Sequence, residues 1–412
     1  MNDKTSKNNY INLYIIILFI FSIFYLHQKH LVGNDSTISE WLINYEGGFT
    51  KRGLIGQTAI YISYLFDLSL RSSILFLQIV MIGIYHLLLL IFLKNLKLNK
   101  LILLSVFSPI FILYPVAEIE VLGRKEIFIF SFFIIYLFLK NNNQKILYKI
   151  ILLPLLMLIW EPVIFFFIFW FIVDYIENIN KNIKYNLTKS LLTYLPAVLI
   201  GFFIALNPIS EINHNKMAIF LKENFNENCY MSCALLLSKS SIHDQFSANL
   251  NVYSLEVFIR YILIVLVGFG PLIILTKYSK FEKLNNQTIV LLIVPPIIVL
   301  FSMMSDWGRI VNISYTFSLL SYLHLYQKKL LIIDKTIEDN YLLKIFNNKK
   351  LFVIFFIIFS FGWNPKTSLA GDIATNPLWK IPYNASKRII GFDSFRILQE
   401  SPLSIWHKKL IE

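Results

Sequence analysis

The chain has 412 residues, 56% of them hydrophobic and only 15% charged, with a formal net charge of +13. A soluble chain of this length would form two or three domains with roughly a quarter of its residues charged, and no soluble core could hide so many apolar runs of membrane length. The basic residues recur as short lysine clusters between apolar runs, not as one patch or tail; a nucleic-acid partner is therefore not expected, and the charge reads as loops sorted across a bilayer by the positive-inside rule.

The first apolar run, Ile11 to Tyr25, follows Lys4 and Lys7 and precedes Leu26-His27-Gln28-Lys29-His30. That sequence offers no small-residue cleavage site, so a retained anchor is expected rather than a signal peptide. It forms a span near 11–27 with the N-terminus inside. An outer loop over 28–57 and a surface-lying stretch over 58–71 lead to a second span, 72–93. Lys94, Lys97 and Lys100 mark the inner side. Spans near 101–116 and 127–139 enclose an outer loop, 117–126, and Lys140, Lys145 and Lys149 return the chain inside.

The stretch 150–174 is long enough for one helix, but a single span would put Lys181, Lys184 and Lys189 outside. A hairpin of two short helices turning at Trp160-Glu161-Pro162 is favoured, because Pro162 biases Glu161 away from helical geometry. A span near 190–206 then leads to the longest outer loop, 207–252. Spans near 253–275, 287–303 and 310–327, an inner loop over 328–350 and a last span near 351–363 complete the layout.

The expected fold class is thus all-α, a polytopic transmembrane helical bundle of about ten or eleven spans over 1–363. Its main outer loops are 28–57, 117–126, 207–252 and 304–309, and a non-cytoplasmic tail follows over 364–412. On these boundaries the inner segments carry essentially the whole net charge, the sign the charge rule requires. No internal repeat is found.

Unusual chemistry gathers on the outer side. The first outer loop contains Asp35, Glu40, Trp41, Tyr45, Glu46, the pair Gly47-Gly48, Lys51 and Arg52. The glycines let backbone approach a ligand. Lys51 and Arg52 stand where the charge rule disfavours them, which points to a local task, and an arginine fork grips phosphate through two bonds. The plainer reading is a solvated turn. The second loop repeats this chemistry with Glu118, Glu120, Arg124, Lys125 and Glu126.

Glu161 is an isolated acid at the tip of an apolar hairpin, where an idle charge is costly; its alternative is a structural ion pair with a lysine or arginine. Asp306 and Arg309 flank a very short turn and either face a ligand or pair with each other. Trp41 and Tyr45 either stack on a ligand or anchor at the interface.

Other motif classes are absent: no Walker loop, no dinucleotide glycine fingerprint, no Gly-x-Ser-x-Gly elbow. No His/Cys set has zinc spacing, so no metal ligand is assigned. Cys229 and Cys233 are either a disulfide on the outer side or two free thiols.

An acidic first outer loop after a retained anchor resembles the C-type glycosyltransferases that use polyprenyl-phosphate-linked sugars. The multi-span layout with outer arginines is similar to bacterial O-antigen and capsule repeat-unit polymerases. The stretches that carry the likeness are Gly47-Gly48-Phe49-Thr50-Lys51-Arg52-Gly53-Leu54 and Asp306-Trp307-Gly308-Arg309. Where many C-type enzymes have an adjacent acidic pair or Asp-x-Asp, this chain has Asn34-Asp35.

The resemblance implies a glycosyltransferase or polymerase of surface polysaccharide assembly in the cell (inner) membrane. It would move sugar from a polyprenyl-(di)phosphate-linked donor to an acceptor hydroxyl on the non-cytoplasmic face. Asp35 first, and Glu46 second, would be the general base. Lys51, Arg52, Glu118, Glu120, Arg124, Glu161, Asp306 and Arg309 would bind substrate, the cations stabilising the departing phosphate. No cofactor is required, although the carboxylates are compatible with a divalent cation. The partners implied are the lipid bilayer, the polyprenyl-linked sugar or oligosaccharide and other polysaccharide assembly proteins. The rival expectations are a transporter or flippase for lipid-linked glycans, and a non-catalytic subunit of an assembly complex.

Overall fold

The computed structural model describes residues 2–32, 36–94, 96–180, 187–237, 254–281, 304–334 and 341–367, with isolated positions 247, 250, 297, 298, 301 and 337. Among the described residues the chain is almost wholly helical. Its two strands, Ser279–Phe281 and Leu331–Ile333, pair antiparallel with Lys280 opposite Ile332.

Among the described residues, two helical stretches, Asn9–Leu31 and Leu70–Leu93, are long and apolar enough to cross a membrane, and up to four are if each bent helix pair counts as one span. Both keep large apolar side chains at the surface, Ile16, Ile17 and Ile20 on the first and Phe76, Leu87 and Ile91 on the second. Other helices do the same with Leu199, Phe202, Ile262, Leu266, Ile354 and Ile358. Apolar surface on this scale suits lipid and not water.

Several expected spans are broken rather than continuous, and proline explains the breaks. Over 101–116 the helix Lys100–Val106 ends before Pro109, the chain turns, and Tyr114–Ala117 makes one further turn of helix. Over 190–206 the helices Leu187–Leu192 and Leu195–Leu206 are separate, the second starting with Pro196 in its first turn. Over 253–275, Leu255–Gly268 and Gly270–Lys277 meet at 57°, with Pro271 opening the second. A proline ring lacks the N–H and clashes with the preceding turn, so it starts helices better than it continues them.

The stretch read as surface-lying, 58–71, belongs largely to a regular helix, Gly53–Phe66, and the outer loop 207–252 contains the helix Glu211–Phe225. The inner loop 328–350 contains the second strand and the helix Tyr341–Ile345. Most of the 287–303 span, and the tail beyond Thr367, lie outside the described residues.

The chain divides into two compact units, Met1–Lys94 with Glu120–Ser240, and Asn95–Ile119 with Ser241–Glu412. In the first, the helices Asn2–Val32 and Glu126–Phe138 both pack on Leu70–Leu93. The helix Asn142–Ile159 breaks at Trp160 and the chain returns through Glu161–Phe166 and Phe167–Asn180. The two arms are antiparallel: Lys145 pairs with Glu177 at 3.0 Å and Lys149 with Asp174 at 2.6 Å. This is the favoured hairpin, reversing at Trp160-Glu161.

Lys145 and Lys149, which the sequence reads as returning the chain to the inner side, are buried in this network, which Tyr136 joins by donating to Asp174. Segments expected on the outer side meet at the opposite end of this unit. There Trp41 reaches Gly123, Arg52 reaches Glu161, and Arg71 reaches Glu227.

The second unit is organised around Trp307–Gln327, a helix buried along nearly its whole length. Its polar side chains meet carbonyls freed at the Pro109 break. Asn312 Nδ2 donates to the Ile110 and Phe111 carbonyls at 2.8 and 3.0 Å, and the Tyr315 hydroxyl to the Ser105 carbonyl at 2.8 Å. Irregular backbone is tolerated at membrane depth only when neighbouring groups satisfy it in this way.

Candidate functional site

The site in the first unit is built on two glycines. A Cβ on Gly53 would lie 2.3 Å from the Tyr45 ring, and one on Gly56 2.0 Å from the Ile43 carbonyl. The start of the Gly53–Phe66 helix therefore rests directly on the 43–45 segment. Arg52 stands at the junction in a left-handed conformation, φ 64° and ψ 9°. This region is uncommon for a residue with a Cβ and is held only where surrounding contacts over-determine it.

Those contacts are charged. The Arg52 guanidinium forms a fork on Glu161, Nε to Oε2 at 2.7 Å and Nη2 to Oε1 at 2.8 Å. Its Nη1 lies 3.6 Å from Glu40, a buried carboxylate, and Lys51 Nζ lies 3.9 Å from Glu161. The Arg52 carbonyl accepts a 2.6 Å hydrogen bond from Lys125 Nζ, a lysine with 0% exposure.

Lys125 is aimed inward by the turn before it. Gly123 takes φ +71°, and its carbonyl accepts from Trp41 Nε1 at 2.8 Å and Gln78 Nε2 at 3.1 Å. With no side chain to clear, that glycine brings the loop onto the helices beneath it; a Cβ there would lie 2.8 Å from Leu26.

Burial is the main cause that pulls the Lys125 ammonium down to about 8; Glu40 and Glu161 oppose it, and Arg52 adds to it. For Glu161 burial alone would raise the carboxyl, but the Arg52 guanidinium, with Lys51 beyond it, overcomes that and holds it at about 2. A carboxylate this acidic stays ionised and is a poor general base at neutral pH.

Of the residues expected at the site, Lys51, Arg52 and Glu161 come together, and the ion pair that was the plain alternative for Glu161 is present. Glu46 is exposed; its Oε1 accepts from Gln57 Nε2 at 2.6 Å and its N–H donates to Asn44 Oδ1 at 2.9 Å, so the loop holds it in place. Asp35 lies outside the described residues. Glu120 is exposed, and its carbonyl accepts from Arg124 Nε at 2.8 Å.

Glu118, Asp306 and Arg309 belong to the second unit. There Arg309 Nη1 pairs with Asp306 at 3.2 Å, and Lys366 Nζ lies 3.7 Å from Glu118. Gly308 is required by packing, since a Cβ would lie 1.9 Å from the Lys366 carbonyl.

Two readings are corrected. Trp41 neither stacks on a ligand nor anchors at an interface: it is fully buried, bonded to Gly123 and 5.6 Å from the Phe128 ring. The Gly47-Gly48 pair serves packing, because a Cβ on Gly47 would lie 1.9 Å from the Asn213 carbonyl of the Glu211–Phe225 helix. Sequence reasoning did not single out Glu40 and Lys125 as site members. Arg124 and Lys125 are both buried, and the contact of Lys125 with the Arg52 carbonyl depends on the left-handed turn at Gly123, which the sequence does not reveal.

Compared with protein-family models, with curated proteins and with solved structures, nothing matches this chain.

Proposed function

We propose that this chain is an integral membrane glycosyltransferase, or repeat-unit polymerase, of bacterial surface polysaccharide assembly. It uses a polyprenyl-(di)phosphate-linked donor on the non-cytoplasmic face, and the cluster around Arg52 handles the donor phosphate. One observation carries the reading: Arg52 holds an unfavourable backbone conformation in order to fix a guanidinium among Glu40, Lys51, Lys125 and Glu161.

A cation fixed before the reaction stabilises charge that develops on a leaving phosphate, and does so most strongly where water is scarce. In the transfer, the acceptor hydroxyl attacks the anomeric carbon, a carboxylate takes its proton, and the phosphate leaves with the bonding electrons. Glu161 is too acidic for the proton step, so Glu46 and Asp35 remain the candidate bases. Lys51, the exposed member of the cluster, is where an anion first reaches it.

A second reading, a transporter or flippase for lipid-linked glycans, is favoured by one feature. Broken helices and buried ion pairs such as Lys149–Asp174 are typical of transport pathways.

The two readings separate in cells that depend on this chain for their surface polysaccharide. Arg52→Lys and Glu46→Gln should reach the membrane at normal levels yet shorten or abolish the glycan. Lys149→Met should leave glycan length unchanged. Normal glycan in both Arg52→Lys and Glu46→Gln cells would reject the transferase reading. Accumulation of complete lipid-linked glycan on the inner face would select the transporter.

A further inference from the structure

The outer end of the first unit carries a second set of reactive groups that the Arg52 chemistry does not use. Cys229 and Cys233 are joined as a disulfide. His214, from the Glu211–Phe225 helix, lies beside them with Nε2 3.3 Å from Cys229 Sγ and 3.2 Å from the Cys233 carbonyl. One ligand atom from each of the three residues falls within 4.8 Å of the others. Cys233 and His214 are buried, and His214 Nδ1 has no hydrogen-bond partner.

Thiolate sulfur and neutral imidazole nitrogen are the ligands that zinc and other soft or borderline metals select. The sequence shows no complete His/Cys set with zinc spacing; the fold supplies the missing ligand by bringing His214, 15 residues before Cys229, against a cysteine pair whose own separation a metal can span.

We propose that Cys229, Cys233 and His214 form a redox-dependent soft-metal site, whose two alternative closed states are the disulfide and a metal-bound dithiolate. The conversion balances with a dithiol reductant. Thiol–disulfide exchange gives two cysteine thiols and oxidises the reductant to its own disulfide. The two thiols then lose two protons as the metal ion binds, the His214 proton passes to Nδ1 with loss of the contact to the Cys233 carbonyl, the freed Nε2 lone pair binds the ion, and water completes a tetrahedral shell.

Both states restrain one segment. The Ser232 N–H donates to Ser39 Oγ at 3.0 Å, and Arg71 binds Glu227 and Tyr230. The Ser232–Ser39 bond holds this segment on the Ser36–Leu42 helix, which carries Glu40 of the Arg52 cluster, and either crosslink fixes the turn that presents Ser232. The inference does not depend on the transferase reading.

The test uses the full chain purified in detergent, reduced anaerobically with a phosphine, with Co²⁺ as the optical probe and Zn²⁺ as competitor. Reduced wild type should bind about one Co²⁺ per chain with a thiolate-to-cobalt charge-transfer band. Zn²⁺ should displace it, and reoxidation to the disulfide should abolish binding. His214→Gln should weaken Co²⁺ binding about tenfold to a hundredfold. That variant keeps both cysteines, so recovery of its disulfide on oxidation reports that the loop still folds. The proposal is overturned if reduced protein with two titratable thiols binds no stoichiometric cobalt, or if folded His214→Gln binds it as tightly as wild type.

Discussion

At Arg52 the backbone and the side chain pull in opposite directions. A left-handed conformation costs a non-glycine residue about 1–2 kcal/mol, whereas a buried charge left without its partner costs about 3–5 kcal/mol. The second term wins. Arg52→Gly should relax the backbone yet lower the thermal stability of the detergent-solubilised protein, because Glu161 loses its two-bond fork and keeps only Lys51 at 3.9 Å, and Glu40 loses the guanidinium at 3.6 Å. A Gly variant as stable as wild type would mean that the cluster does not hold this loop.

The same cluster sets a pH response. Glu161 is held at about 2 against an ordinary 4.5, so between those values the folded chain binds fewer protons than the unfolded one. Its contribution is complete above about 4.5 and is lost as pH falls toward 2. Lys125, at about 8 against an ordinary 10.5, also binds fewer protons when folded, so its unfavourable burial eases as pH rises from 8 to 10.5. Unfolding of solubilised wild type between pH 5 and pH 3 should become steadily easier, and Glu161→Gln should start less stable with a flatter slope. An unchanged slope would place the titrating group elsewhere.

Arg52 and Glu161 are legible in the sequence because each stands where its charge is costly, one in an outer loop and one between apolar arms. Lys125 is not, since its inward aim depends on the Gly123 turn. The misreading of Trp41 has the same origin: a tryptophan in a loop near a membrane edge looks interfacial until its N–H is seen bonded inside.

Among the elements, hydropathy locates apolar runs well and their breaks less well. The hairpin at Trp160 is legible from Pro162 and from the lysines on either side. The interruptions before Pro109 and at Pro271 fall within runs that remain apolar throughout, so length alone reads them as single spans. What makes the Pro109 break tolerable comes from 200 residues further on, through Asn312 and its bonds to Ile110 and Phe111.

Asn312→Leu removes both bonds and leaves the Ile110 carbonyl unmet, while the Phe111 carbonyl keeps the Tyr114 N–H at 3.2 Å, a loss of about 2 kcal/mol at roughly 1 kcal/mol per bond. It should appear as a lower unfolding temperature and faster proteolysis of the second unit. Wild-type stability would show that the carbonyls find other partners. Gly56→Ala drives a methyl against the Ile43 carbonyl and should cost about 1–3 kcal/mol by overpacking. Because this contact seats the helix that begins beside Arg52, the variant should also lose activity beyond what its residual folding explains.

For the whole molecule, the lysine distribution in the sequence predicts one sidedness, with residues near 48, 122 and 307 outside and those near 97, 280 and 340 inside. Position 145 lies in the buried ion-pair network, so exposed Asn143 is the better inner-side probe. Single cysteines placed at these positions in a Cys229→Ser/Cys233→Ser background should react with an impermeant maleimide only in the outer set. Opposite labelling of 48 and 122 would break the Arg52–Lys125 grouping.

The central claim is that the Arg52 cluster serves transfer from a lipid-phosphate-linked sugar. It is tested most directly with purified protein in lipid nanodiscs, supplied with a polyprenyl-diphosphate-linked glycan and an acceptor glycan, by comparing wild type with Arg52→Lys. We predict lengthening of the acceptor by wild type and a rate about a hundredfold lower in Arg52→Lys, as for loss of one preorganised donor. Equal rates in the two proteins, or no transfer by folded wild type, would contradict the account.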